Sequence, residues 1–494
     1  MNQKEDSIDK STMTTAWVLV FGALAPLLDS TMINIAVHSL VRSLHSSVST
    51  IQWAVTGYVL ATAIAVTFSS WLLNQFDGKK VFLAGEVLFA FGSVLSALAI
   101  NAQFLIGARL IQGFASGIIM PLLTTLLVQT AGQKVMGQMM ATVGLPIIIG
   151  PLVGPIIGGI IIKYLSWQWI FWVNVPVAVI SILLILWKMP SYPAQNKSAK
   201  MDFVGIVFLA GATTSMIYGI VKAARKASFA NEDTLLFIGL GLALALVYVI
   251  WAMRIKDKAV LPLNLFKYRS FNGSVLGLLI AGTVLNGAML ALPLFFQEVR
   301  GMSVMMAGLA LIPQGAGMLV SRTLTGKLTD KFGAKYVVLT SLIITFIGTI
   351  PFYWFNHETS YWIIAPVLFI RGIGAGGILM PLMADSYTGM QGALIPAASI
   401  GSRTIQNIGS AFGTAIVTTL ITAYSNAKIK DFKQNISSAN YHVKAANMPQ
   451  FVARHLDLIQ IHAFQYGFFC ISIAALLIAL PTFLLTNKIE RNKQ

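Results

Sequence analysis

The sequence predicts an all-α integral membrane protein with fourteen transmembrane helices, on three observations. Of 494 residues, 56% are hydrophobic and only 10% charged, whereas a soluble domain carries about a quarter charged. Mean hydropathy is +0.76. Apolar stretches long enough to cross about 30 Å of hydrocarbon recur from one end of the chain to the other. The net charge of +17 would suit a nucleic-acid binder, but its placement does not. Most Lys and Arg fall beside alternate loops, as the orientation rule for membrane helices requires, so nucleic acid is excluded as a partner. The single cysteine, Cys470, permits no intramolecular disulfide and makes no thiol metal site.

In chain order, a cytoplasmic tail at 1–13 precedes a stretch near 14–38. That stretch is longer than a signal-peptide core and no A-x-A-like site follows it, so a retained helix is expected. Stretches near 51–73, 81–100, 104–128, 137–162 and 168–188 complete an N-terminal six-helix bundle over 14–188. Two linker helices, near 202–221 and 234–253, occupy 189–269. Stretches near 271–297, 303–325, 336–355, 361–384, 393–424 and 463–486 form a C-terminal six-helix bundle over 270–486. It carries a long polar extracellular loop at 425–462, and a tail at 487–494 follows. An even number of spans puts both termini on one side, read as cytoplasmic.

Two segments recur between the halves. The run RLIQGFASGIIMP at 109–121 is echoed by RGIGAGGILMP at 371–381, and SWLLNQFDGKK at 70–80 by GKLTDKFGAK at 326–335. Parallel six-helix repeats with a substrate site between them are a standard transporter design. The two linker helices match neither half.

Depth singles out one acid. At 1.5 Å per residue, Asp29 lies about 22 Å from the inner start of its helix, whereas Glu298 and Asp385 sit at helix ends. A carboxylate at that depth costs about 2.5–3.5 kcal/mol to insert and calls for a partner. Arg109, about 8 Å from the outer start of its span, is within side-chain reach. The pair either fixes helix packing permanently or exchanges with a protonated, unpaired Asp29, since burial and a neighbouring cation act oppositely on the carboxyl. Glu86, roughly two turns into its helix, either snorkels to the inner interface or faces a substrate cavity. Gln52, Trp53, Tyr58, Gln112, Asn286, Gln314 and Asp385 are further candidates for lining that cavity. Arg371 and Arg403 lie near mid-membrane with no acid at matching depth, which keeps an anionic substrate open. Between 141 and 163, Gly150, Gly154 and Gly158 form a smooth stripe at four-residue spacing, with Pro155 and Gly159 beside it. Such breakers are tolerated in a membrane helix and allow close backbone approach.

Several of these segments resemble the major facilitator superfamily, and within it the fourteen-helix drug:proton antiporter group. LDSTMIN at 28–34 is similar to that group's first-helix motif, QWAVTGY at 52–58 to its second-helix signature, and 109–121 to its fourth-helix motif. Residues 150–159 resemble its fifth-helix antiporter motif. WQWIFWVNVP at 167–176 is similar to the opening of its sixth helix, with Gln168 where Arg is usual. The loop at 70–80 departs from the superfamily pattern at Asn74, Gln75 and Asp77, whereas Gly326, Asp330, Gly333 and Lys335 keep it. The resemblance implies the major facilitator fold and secondary export of lipophilic, cationic drugs. It implies proton coupling through Asp29 and Arg109, and a kinked, leak-tight face between the halves at the glycine run. It also implies a cytoplasmic gate at Asp330, and a monomer in the bacterial plasma membrane with no cofactor or metal. An exporter of an endogenous metabolite is the alternative. No H-E-x-x-H, G-x-S-x-G or nucleotide-binding G-x-x-x-x-G-K-[ST] occurs, so neither an enzyme nor an ATP-driven pump is expected.

Overall fold

The computed structural model describes residues 9–131, 150, 153–154, 157–194, 197, 200–391, 394–437 and 448–487. All regular structure among them is helical, and thirteen helices are long and apolar enough to cross a membrane. The remaining expected span, 137–162, falls largely outside the described residues, Pro155 included, although 157–164 is helical.

The first half holds α1 (Lys10–Ser43), α2 (Val48–Gln75), α3 (Gly78–Ala97), α4 (Ala102–Ala131) and α5 (Asn174–Lys188). The linker pair is α6 (Phe203–Lys226) and α7 (Glu232–Ile255). The second half holds α8 (Arg269–Leu294), α9 (Ile312–Phe332), α10 (Ala334–Thr349), α11 (Tyr361–Gly376), α12 (Leu394–Ser437) and α13 (Met448–Leu476). Starts are set by side chains that accept orphan backbone N–H groups: Ser47 for α2, Asp77 for α3, Asp202 for α6 and Asn231 for α7.

The two halves pack alike. α2 lies along α4 as α9 lies along α11, and α3 rests on α4 and α5 as α10 rests on α11 and α13. Glycine makes the tightest approaches possible. Gly113 of α4 faces the Tyr58 carbonyl of α2, and Gly372 of α11 faces the Gln314 carbonyl of α9. A threonine hydroxyl fastens each half at a matching place. Thr31 of α1 donates to the Gly150 carbonyl at 3.3 Å, and Thr283 of α8 donates to the Gly409 carbonyl at 3.0 Å.

That contact corrects the expected role of the glycine run. A Cβ on Gly150 would meet Leu27, one on Gly154 would meet Thr31, and one on Gly158 would meet Met32, all on α1 of the same half. Among the described residues, Gly150, Gly154 and Gly158 face α1 of their own bundle and not the other half. Gly159 has nothing within 4 Å of a Cβ built on it.

The expected loop at 425–462 is also corrected. α12 continues to Ser437 and α13 begins at Met448. Phe432 stacks on His455 with ring centroids 4.8 Å apart, so the two helices stay paired beyond their apolar parts. Polar composition was misleading here because an amphipathic helix outside the bilayer is polar on most of its surface.

α6 touches both halves, packing on α2 and α12. Two apolar clusters form there, Val66 with Ile206, Leu209 and Ile400, and Ala63 with Ile217, Ile220 and Ile408. Asp202 ties the pair together, accepting from Gly205 N at 2.8 Å, Trp251 Nε1 at 2.9 Å and Val260 N at 3.2 Å. The halves themselves meet where α12 packs on α2 and on the later turns of α4. There Thr124 and Ser399 share a 2.9 Å hydrogen bond, and Ser399 donates to the Pro121 carbonyl at 3.1 Å.

These approaches set an expectation for substitution. Gly113→Val puts a branched side chain against the Tyr58 carbonyl and should cost about 1–3 kcal/mol by overpacking. Gly107→Val, with nothing within 4 Å, should leave thermal unfolding of the purified protein unchanged. Equal melting of the two variants would refute this account of the α2–α4 contact.

Candidate functional site

α1 carries Pro26 in its interior and Asp29 one turn later. Asp29 and Arg109 of α4 form an ion pair with both side chains fully buried. The guanidinium is shared further: Nε donates to the Ala54 carbonyl of α2 at 3.2 Å, and Nη1 donates to Gln112 Oε1 at 3.0 Å. Its carbon lies 4.2 Å from the centroid of the Tyr58 ring and 5.7 Å from that of Phe171, both cation–π contacts. Tyr58 in turn donates to the Pro26 carbonyl at 3.4 Å.

Asp29 has neutral partners as well. Asn174 Nδ2, at the start of α5, donates to Oδ1 at 2.8 Å, and Gln112 Nε2 lies 3.5 Å from the same oxygen. Gln112 is oriented from α3, donating to Ser93 at 2.7 Å and accepting from Ser96 at 2.8 Å. Five helices therefore converge on one carboxylate. Buried charges persist where the remaining lone pairs and protons are hydrogen bonded. This shell supplies most of those bonds, and Arg109 Nη2, without a hydrogen-bond partner, belongs to a guanidinium that lies over the Tyr58 ring.

Asn174, Ser93, Ser96 and Phe171 belong to this site and were not singled out from the sequence. Asn174 had a signal, an amide inside an otherwise apolar aromatic run. The serines had none, because small hydroxyls in membrane helices more often bond their own backbone.

The residues expected to line a substrate cavity are dispersed. Tyr58, Glu86 and Gln112 are buried within the first bundle. Gln314 is buried as the partner of Arg371, accepting from its Nη1 at 2.8 Å. Asp385 is buried at the end of its helix, where it accepts from Thr486 N at 3.0 Å and Thr388 at 3.2 Å. Asn286 is half-buried and donates to Ser410 at 2.9 Å. Gln52 is half-buried, and Trp53, 38% exposed, stacks on Tyr218 of α6. These residues do not share one wall.

The second half repeats the arginine without the acid. Among the described residues, Arg371 has only Gln314 as a side-chain partner, and Arg403 donates to Gln406 at 3.3 Å. Arg403 keeps Nε and Nη2 without hydrogen-bond partners, and so does Arg322 with both terminal nitrogens. Sequence reasoning misses Arg322 because it lies three residues from the end of the apolar stretch at 303–325, where arginine is ordinary, although α9 runs on to Phe332.

The loop copies fasten helix ends inside their own halves. Gly78 N donates to the Tyr192 carbonyl at 2.9 Å, and Lys335 N donates to the Thr486 carbonyl at 3.2 Å. Gly333 adopts φ 88°, which glycine alone takes freely, and faces that same Thr486 carbonyl. Gly326 and half-buried Asp330 lie on the last turns of α9 leading into this loop.

Residues 19–414 match the sequence profile of the Major Facilitator Superfamily. The chain is 29% identical over 425 residues to a multidrug resistance protein B homolog of Mycobacterium tuberculosis, covering 85% of this chain and 78% of that one. It is 26% identical over 422 residues to the multidrug export protein EmrB of Escherichia coli, covering 85% and 82%. It is 25% identical over 410 residues to the lincomycin resistance protein LmrB of Bacillus subtilis, covering 82% and 84%. The crystal structure of the human organic anion transporter MFSD10 shares the fold, with TM-score 0.61 at 14% identity, covering 96% of this chain and 99% of that one.

The geometry predicts a non-additive cycle. Arg109→Met alone strands a buried carboxylate and should destabilise by about 3–5 kcal/mol. Adding Asp29→Leu should restore much of that loss in thermal unfolding. Additive losses would mean that the two charges do not depend on each other.

Proposed function

Because the chain belongs to the Major Facilitator Superfamily, we propose that it exports lipophilic, cationic drug-like compounds in exchange for protons, by alternating access. The observation that carries this reading is the buried Asp29–Arg109 pair. With Asp29 ionised, the pair holds α1 to α4. With Asp29 protonated, the attraction is gone, while Arg109 keeps the Ala54 carbonyl, Gln112 and the Tyr58 ring. Proton binding therefore loosens one contact and leaves the others as a resting place for the cation.

α4 links this event to access. Arg109 and Thr124 are on the same helix, about 22 Å apart by helical rise, and Thr124 takes part in the contact that closes α4 against α12. A shift of α4 at the ion pair is thereby felt at the seal. One charge moving through 100 mV supplies about 2.3 kcal/mol, enough to drive export without ATP. The substrate class draws on relatives named for multidrug resistance and export. The protein acts as a monomer in a bacterial plasma membrane, with both termini cytoplasmic.

In everted vesicles given a pH gradient, Asp29→Asn should reduce uptake of tetraphenylphosphonium to the background of vesicles without the protein. Undiminished gradient-driven uptake by folded Asp29→Asn would rule the coupling role out. A second reading, export of an organic acid, is favoured by the unpartnered guanidinium nitrogens of Arg322 and Arg403. Proton release from purified protein on adding cations or carboxylic acids separates the two: release with acids alone would replace the cation reading.

A further inference from the structure

Of the two acids of the first bundle that the ion-pair mechanism leaves unused, Asp77 caps α3 and Glu86 lies within the helix. It is fully buried on α3, and neither of its carboxyl oxygens has a hydrogen-bond partner. Its polar neighbour, Ser181 of α5, has no partner for its hydroxyl either. The carboxyl is seated in a gap that glycine provides. A Cβ on Gly22 of α1 would stand 2.6 Å from Glu86 Oε1 and 2.8 Å from the Phe82 ring. Pro26, four residues on, has no N–H, so the helical hydrogen bond to the Gly22 carbonyl is missing. α1 thus presents an open notch and an acceptor lacking its usual donor in the same turn.

An ionised carboxylate without donor or cation, in a membrane interior, bears the full desolvation penalty, and the neutral acid does not. The charged groups on the surrounding elements do not relieve it. Asp29 on α1 and Arg109 on α4 are paired with each other. Lys79 and Lys80 are at the start of α3, Lys79 donating to the Leu186 carbonyl at 3.1 Å, and Lys188 is at the end of α5. The α2 helix carries no charged residue.

We infer that Glu86 is the inner relay for the proton: in this conformation Asp29 is ionised against Arg109 and the proton resides on Glu86. Glu86 meets α1 at Gly22, seven residues and about 10 Å inward of Asp29 along the same helix. This rests on the proposed proton coupling and the cytoplasmic amino terminus. A proton leaves the Asp29 carboxyl, which returns to Arg109 as the carboxylate, and crosses by water to the Glu86 carboxylate. When α1 parts from α3, Glu86 gives that proton to inner water and is again a carboxylate.

Infrared spectroscopy of the full chain in lipid, with isotope-labelled glutamate, tests this without a known substrate. A protonated-carboxyl band should be present in wild type, absent in Glu86→Gln and retained in Asp29→Asn. It should fall reversibly as pH rises while helix content stays constant. No such band, or one that persists until unfolding, overturns the proposal. Glutamine mimics the neutral acid, so a merely packed Glu86 would tolerate it. The relay instead predicts that Glu86→Gln slows gradient-driven export of tetraphenylphosphonium about a hundredfold, the scale of a lost positioned proton carrier. Substrate exchange at equal pH, which moves no net proton, should be unchanged. Wild-type gradient-driven rates in Glu86→Gln overturn it as well. If Glu86→Gln does not fold, the wild-type band and its shift in Gly22→Ala decide. Loss of the coupling reading would be seen separately, as full gradient-driven transport by Asp29→Asn.

Discussion

A full charge pair buried away from water constrains the whole first half of this molecule. Two ions taken into a low-dielectric interior lose several kcal/mol of hydration each, and their attraction repays this only in a fully bonded setting. Asp29 and Arg109 obtain most of that setting from Ala54, Gln112 and Asn174, with Ser93 and Ser96 holding Gln112 in turn, while Arg109 Nη2 has no hydrogen-bond partner. Each of α2, α3, α4 and α5 must therefore hold its place relative to α1. The bundle is arranged around a polarity it cannot solvate.

Close backbone approach is the second constraint, and it is met twice. In each half a threonine on the first helix donates to a glycine carbonyl on the fifth, and glycine-to-carbonyl contacts join the second helix to the fourth. The apolar driving force that packs soluble helices is weak in lipid, so association depends on close van der Waals packing and interhelical hydrogen bonds. The repeat seen in the sequence is therefore a repeat of contacts. The Gly150–Gly158 stripe belongs to this scheme, since its second-half counterpart at Gly409 and Gly413 performs the same seating.

Much of the fold was legible because a membrane span is written in length and hydropathy, which need no partner to be read. Asp29 was legible by the same logic: a charge at depth stands out against its own helix. What escaped was whatever depends on a neighbour. Ser93, Ser96 and Asn174 acquire meaning only when five helices converge. Glu86 was read from its distance to a helix end, but its setting is decided by Gly22 and Pro26 on another helix. The outer parts of α12 and α13 were read as a loop because hydropathy alone does not separate a polar helix from a polar coil.

The length of α12 has a mechanical consequence. Its 44 residues make a rod of roughly 66 Å, about twice the hydrocarbon thickness. Its first turns take part in the Ser399 contact with α4, and its far end is clasped to α13 by Phe432 and His455. A stiff rod turning about one end, with its paired helix carried along at the other, amplifies rotation in proportion to its length. A tilt of 5° at the α4 contact would displace the opposite tip by about 6 Å for a rod of this rise and length. Small rearrangements at one end of α12 would thus be converted into ångström-scale excursions at the other.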